Sequence, residues 1–141
     1  MPAGGCFCGK VRLQYDGDAQ VKALCHCADC KKITGSTYST NIVVPGSGFS
    51  ITSGKPKMVP TQADSGKTIS SAICADCGST MYREGETFGD SKVIKAGTLD
   101  DASGLEGAKP DIELYAPQRV SWVAKVEGAK QLKGMPGSEE V

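Results

Sequence analysis

Seven cysteines fall into three tight clusters, Cys6-Phe-Cys8-Gly9, Cys25-His-Cys27-Ala-Asp-Cys30 and Cys74-Ala-Asp-Cys77-Gly78, and this spacing constrains the chain more than any other feature. Zinc takes four tetrahedral ligands, and a C-x-C or C-x-x-C turn delivers two thiolates from one short loop. Cysteine is also a common small buried hydrophobe. Isolated core cysteines, however, scatter along a sequence, and these do not. An odd count would leave one thiol free if disulfides were the explanation. The N-terminal Met1-Pro-Ala-Gly-Gly carries neither a basic nor an apolar signal region. A reducing, cytoplasmic compartment is therefore expected, where thiols serve as metal ligands or catalysts.

The residues that follow each cluster predict how the sulfurs divide. Glycine directly after a second cysteine can take a positive φ and turn backbone amides toward the sulfurs. Gly9 and Gly78 hold that place, whereas Lys31 holds it in the middle cluster. Cys6, Cys8, Cys74 and Cys77 are thus expected to close one structural four-thiolate zinc site. Cys25, Cys27 and Cys30 remain for a second zinc. An ion with three protein ligands keeps its fourth position for water or substrate, the arrangement of catalytic zinc. His26 is set aside as a ligand because both its neighbours already point at the same ion. Three thiolates leave such a zinc with a net negative charge, which suits a soft incoming thiol better than the acidification of water. Lys31 and Lys32 either offset that charge or form an ordinary solvated helix face.

The rest of the chain reads as a mainly β domain. Apolar and polar residues alternate over 11–15, 21–24, 38–44, 49–52, 68–74, 92–99, 112–115 and 120–126, with Gly, Pro, Asp and Ser between them. One short helix is expected over 28–34, stopped by Gly35. A single zinc-binding domain over 1–133 is expected, with 134–141 as a flexible tail. Leu, Ile, Val and Phe supply only 26 of 141 residues, so the core is thin and metal cross-linking would add what aliphatic burial lacks. The 16 basic and 16 acidic side chains balance, which argues against nucleic acid or a membrane surface as partner. No apolar run approaches the roughly 18 residues of a membrane helix, and no phosphate-binding glycine loop is present.

Gly4-Gly-Cys-Phe-Cys-Gly-Lys-Val-Arg12, Cys25-His-Cys-Ala-Asp-Cys-Lys-Lys-Ile-Thr-Gly-Ser36 and Cys74-Ala-Asp-Cys-Gly-Ser79 resemble the glutathione-dependent formaldehyde-activating enzymes and their relative centromere protein V. Gly97-Thr-Leu-Asp-Asp101, the stretch from Pro110 to Tyr115 and Ser121-Trp122 extend the likeness. The resemblance implies twisted antiparallel sheets of the β-tent type. It also implies the same two zinc ions per chain, one structural and one catalytic. The reaction it implies is a carbon–sulfur lyase reaction, joining glutathione and formaldehyde, or a related thiol and carbonyl compound, as in S-(hydroxymethyl)glutathione synthesis. A zinc-stabilised binding module without catalysis is the alternative, and a redox-sensing thiol trio a third.

Beyond the cysteines, Lys32, Thr34, Gly35 and Ser36 are candidates to line a substrate pocket, or else simply end the helix. Glu113 stands where the resemblance would place a histidine, and is expected to be an exposed strand carboxylate. Tyr15, Tyr38, Tyr82 and Tyr115 read as half-buried strand residues and Trp122 as core. Arg12 and Arg83 read as exposed strand arginines that could also balance the charge of a thiolate knuckle.

Overall fold

The computed structural model describes residues 1–141 and contains eleven strands and two short helices. In chain order these are β1 (Ala3–Gly5), β2 (Arg12–Tyr15), β3 (Val21–Cys25), α1 (Ala28–Thr34), β4 (Ser39–Val44), β5 (Phe49–Ser53), β6 (Lys57–Gln62), β7 (Thr68–Ile73), β8 (Thr80–Gly85), β9 (Gly89–Lys95), α2 (Ala102–Glu106), β10 (Ile112–Leu114) and β11 (Lys130–Gln131). They form a three-stranded sheet, β1-β2-β5, and an eight-stranded sheet in the order β11-β10-β3-β4-β9-β8-β7-β6. The mainly β expectation holds, with two differences. A second helix follows Asp101, which caps it by accepting from the Ser103 amide. The large sheet is mixed, because β10 runs parallel to both β3 and β11.

Strand alternation gives the large sheet two different faces. Ile42, Ile94, Tyr82 and Ala72 stand opposite one another across β4, β9, β8 and β7. They form one apolar row that packs under the small sheet, against Leu13, Tyr15 and Val11. The other face carries Ala23, Asn41 and Lys95 at one level and Val43, Val93, Arg83 and Ser71 at the next. This polar face has a second, smaller apolar cluster of Ala23, Cys25, Cys30, Leu114 and Leu132 at the β3–β10 end.

Two expectations, a strand over 120–126 and a core position for Trp122, fail for identifiable reasons. Residues 120–126 form turns rather than a strand, closed by Val123 N–H to the Val120 carbonyl at 2.9 Å and Ala129 N–H to the Val126 carbonyl at 3.1 Å. Trp122 rides on those turns 75% exposed instead of entering the core. The strand β6 contains Pro60, which argues against a central strand but is tolerated at a sheet edge, where β6 lies. Residues 134–141 make backbone contacts with the segment just before them. Lys133 N–H bonds the Glu139 carbonyl at 2.8 Å, Val141 N–H bonds the Gln131 carbonyl at 2.9 Å, and Leu132 bridges Glu140.

Leu13 is fully buried where the small sheet meets the large one. Leu13→Ala is expected to cost about 2–5 kcal/mol in denaturant unfolding of the protein. A loss below about 1 kcal/mol would show that the two sheets are not packed together at this residue.

Candidate metal centres and cavity

The first and third cysteine clusters occupy matching turns, one joining β1 to β2 and the other joining β7 to β8. Each turn ends on a glycine with positive φ, 83° at Gly9 and 79° at Gly78, as the trailing-glycine pattern requires. Gly9 N–H returns to the Cys6 carbonyl at 3.1 Å, and Gly78 N–H to the Cys74 carbonyl at 2.8 Å. The turns then meet: Phe7 N–H bonds Ser79 Oγ at 2.9 Å, and Lys10 pairs with Asp76 at 2.6 Å. Cys6, Cys8, Cys74 and Cys77 bring their sulfurs within 4.8 Å of one another.

The donor set fits a tetrahedral thiophilic cation. Four sulfurs about 2.3 Å from a zinc ion stand about 3.8 Å apart, and Cys8 Sγ lies 3.6 Å from Cys6 Sγ and 3.7 Å from Cys74 Sγ. The Val11 amide points at Cys6 Sγ from 3.3 Å. Hydrogen bonds from the Ser79 hydroxyl and amide bring the Cys77 thiol down to about 5. The Lys10 amide lowers Cys8, but burial and the neighbouring sulfurs outweigh it and push that thiol up to about 11. Sulfurs this close cannot all ionise without a cation between them.

The middle cluster is built at a strand-to-helix junction. Cys25 ends β3, Cys27 caps α1, and Cys30 lies in the first turn of α1. Cys30 N–H donates to Cys27 Sγ at 3.4 Å, so the cap itself aims one sulfur at the next. Gly35, at φ 65°, ends the helix in the left-handed conformation with its N–H on the Lys31 carbonyl. The three sulfurs lie within 4.8 Å of one another, with Cys25 and Cys27 at 3.3 Å. Hydrogen bonds from Cys25 and Cys27 draw Cys30 down to about 2, while the bonds to Cys27 and Cys30 push Cys25 upward. Both clusters can therefore hold metal ions, and the all-sulfur donor sets are consistent with zinc.

His26 is turned away from these sulfurs to the opposite side of the sheet. Its Nε2 lies 2.7 Å from Glu113 Oε1, and both side chains are fully buried. Glu113 is thus not the exposed carboxylate expected. Its strand, β10, is interior, and the segment after it folds back across the carboxyl group. Oε1 also accepts from Arg119 at 2.6 Å, while Oε2 accepts from the Val126 amide at 2.8 Å and Gln131 Nε2 at 2.7 Å. Burial alone would raise this carboxyl, but Gln131, His26, the Val126 amide and Arg119 together hold it at about 2. Because the carboxylate only accepts, His26 Nε2 is the donor of this bond, and Nδ1 is left without a protein partner.

The middle cluster opens on a cavity of about 650 Å³ over the polar face of the large sheet, within the ordinary range of small-molecule sites. Asn41, Arg83, Lys95 and Tyr115 line it beside the three cysteines. Lys95 Nζ donates to Asn41 Oδ1 at 2.7 Å, and the amide is fixed in turn by Nδ2 contacts to Ser39 Oγ at 2.9 Å and the Ala23 carbonyl at 3.2 Å. Burial lowers the Lys95 ammonium, the Cys30 thiolate raises it, and Arg83 lowers it again. Tyr115 is not in a strand, and it has the chain's only positive φ outside glycine, 54°. Burial pushes its hydroxyl up, and the charges of Cys27 and Cys25 push it further.

Lys32, Gly35 and Ser36 are exposed and do not line this cavity; Thr34 lines a separate one of about 450 Å³. Lys31 reaches the Gln118 carbonyl at 2.7 Å. Arg12 is partly exposed and pairs with Asp100, whereas Arg83 is 7% exposed rather than solvated. Sequence reasoning passed over Asn41 and Lys95 entirely. Their only signal was alternation: polar residues at inward positions of otherwise apolar strands.

Breaking the Glu113 network should be costly, because Arg119 would lose its buried partner. Glu113→Ala is expected to lose about 3–5 kcal/mol of stability, seen as a lowered denaturation midpoint. Glu113→Gln tests the charge. The folded carboxyl titrates below its unfolded value of 4.5, so its stabilisation is complete above that pH and lost as pH falls toward about 2. The wild-type advantage over Glu113→Gln should therefore be constant above about pH 5 and shrink below pH 4.5. An advantage that does not change with acid would show that Glu113 is not ionised in the fold.

Comparison with known proteins agrees with this architecture. A crystal structure of a Rhodobacter sphaeroides protein superposes with a TM-score of 0.57 at 16% identity, over 71% of this chain and 89% of that one, a likeness of fold. No curated protein matches the chain. The family profile described as glutathione-dependent formaldehyde-activating enzyme matches residues 1–118, and the chain belongs to that family.

Proposed function

We propose that the protein is a zinc-dependent carbon–sulfur lyase that joins a thiol, glutathione or a close analogue, to formaldehyde or a related carbonyl compound. The observation that carries this reading is the placement of Cys25, Cys27 and Cys30 together at the wall of a cavity, with Cys27 half-buried and facing it. In this reading the chain binds two zinc ions, one at Cys6, Cys8, Cys74 and Cys77 and one at the three-cysteine site. A zinc ion held by three thiolates supplies a soft position that favours a thiol sulfur over water.

The addition itself needs little. The sulfur–carbon bond forms, the carbonyl π bond breaks, and the thiol proton ends on the new hydroxyl oxygen. The chain's part is to hold two small reactants together, where proximity is a large rate factor. Lys95, fixed by Asn41, places positive charge on the cavity wall near the sulfurs and would stabilise oxygen as it becomes negative. Tyr115 stands on the same wall with its hydroxyl kept protonated by burial and by Cys27 and Cys25, so it can donate to that oxygen. His26 and Glu113, bonded to each other at 2.7 Å, lie behind the site and hold the Cys25–Cys27 turn in place.

Cys27→Ser separates function from folding, since serine is itself a good helix cap. Zinc per chain is expected to fall from two to one by native mass spectrometry, turnover of glutathione with formaldehyde to vanish, and the melting temperature to change little. Cys74→Ser should instead unfold the domain, since structural zinc contributes on the order of 10 kcal/mol in small metal-folded peptides. Full turnover by a folded Cys27→Ser protein would overturn the assignment.

A further inference from the structure

We propose that Arg83 binds a carboxylate of the thiol substrate, at a subsite across the cavity from the three cysteines, and so selects an extended anionic thiol. This rests on the reading of the cavity as a thiol–carbonyl site.

The chain has three arginines. Arg12 pairs with Asp100 and Arg119 with Glu113, each within ion-pair distance. Arg83 has no such partner, although it is the most buried of the three. Its Nε donates to Ser71 Oγ at 3.1 Å and one terminal nitrogen reaches Thr61 Oγ1 at 3.5 Å. Both partners are neutral, and a guanidinium carries five N–H donors. The hydroxyls orient the group without neutralising it. A buried charge without a counter-ion is costly, so a fold that keeps one on a cavity wall is complementary to an anion.

The other cation on this wall does not compete for that role. Lys95 is tied to Asn41 at 2.7 Å and lines the wall beside the three sulfurs; with zinc bound, the negative excess of that cluster and the lysine balance. Arg83 is the charge left over. Asp29 and Asp64 are the carboxylates on the cavity lining, and both are exposed and paired with neither cation. Position sets the length of the ligand. Cys25 lies on β3 and Arg83 on β8, three strands apart in the sheet, or about 14 Å between backbones. A ligand touching both must carry its carboxylate several bonds from its sulfur, as a peptide thiol does and a mercaptoacid does not. Arg83 can hold that carboxylate with two parallel N–H donors.

Calorimetric titration of the zinc-loaded protein with glutathione, glutathione diethyl ester and S-methylglutathione tests this. The wild type is expected to bind glutathione at least about tenfold more tightly than the diester. Arg83→Gln should remove that preference by weakening glutathione alone, and Arg83→Lys should restore much of it. No preference in the wild type, or an undiminished one in Arg83→Gln that still binds two zinc ions, overturns the subsite. In that case tight binding of both free thiols leaves the thiol–carbonyl reading standing. If S-methylglutathione binds as tightly as glutathione and Arg83→Gln weakens both, the subsite stands and the thiol reading falls.

Discussion

Four sulfurs joining two turns are the constraint from which the rest of the structure follows. Cys8 and Cys74 are separated by 66 positions and lie 3.7 Å apart, so the β1–β2 turn and the β7–β8 turn share one small volume. One turn belongs to the three-stranded sheet and the other to the eight-stranded sheet. Cross-linking them fixes how the sheets stack, and the apolar row of Ile42, Ile94, Tyr82 and Ala72 closes against Leu13 and Tyr15 underneath. A core of this size is thin for the length of the chain, and a metal ion held by these four sulfurs would close a long loop and remove chain entropy that burial would otherwise have to offset.

Because one face of the large sheet is committed to that core, the other is free to carry polar groups. Asn41, Lys95, Arg83 and Ser71 sit at inward positions where a purely structural sheet would place aliphatic side chains. Each is held by hydrogen bonds to neighbouring strands, so the wall is rigid before any ligand arrives. The three-cysteine turn completes the cavity at the β3 end. Behind that turn, on the opposite side of the sheet, Glu113 uses all four of its acceptor directions on His26, Arg119, Gln131 and the Val126 amide. The turn is therefore braced from the back by charge and open at the front to the cavity.

The parts legible in the sequence are those set by local geometry. Sulfur spacing and a trailing glycine are short-range properties, and Gly9 and Gly78 take the positive φ that the pattern demands. Period-two alternation located most strands, and Gly35 ended the first helix where expected. The failures share a physical cause. Glu113 and His26 are 87 positions apart, so no window of sequence shows that one shields the other. Trp122 looked like core because large aromatics usually are, yet the turns around it have no sheet to join. Lys32, Gly35 and Ser36 stand exposed at the end of the first helix, and the cavity beside the three cysteines is lined largely from the sheet.

The sequence by itself determined two sets of cysteine donors at chelating distances along the chain, told apart by the glycines that follow Cys8 and Cys77 and the lysine that follows Cys30. It also determined the strand-rich character, through alternation and turn residues. Only the tertiary structure decided what faces the three-cysteine site. Strands remote in the chain become neighbours in the sheet, and their register places Asn41, Lys95 and Arg83 on the same face as Cys25. A one-residue slip in any of those pairings would turn the side chains to the other face, so the cavity wall is a property of pairing between strands and is encoded in no single segment.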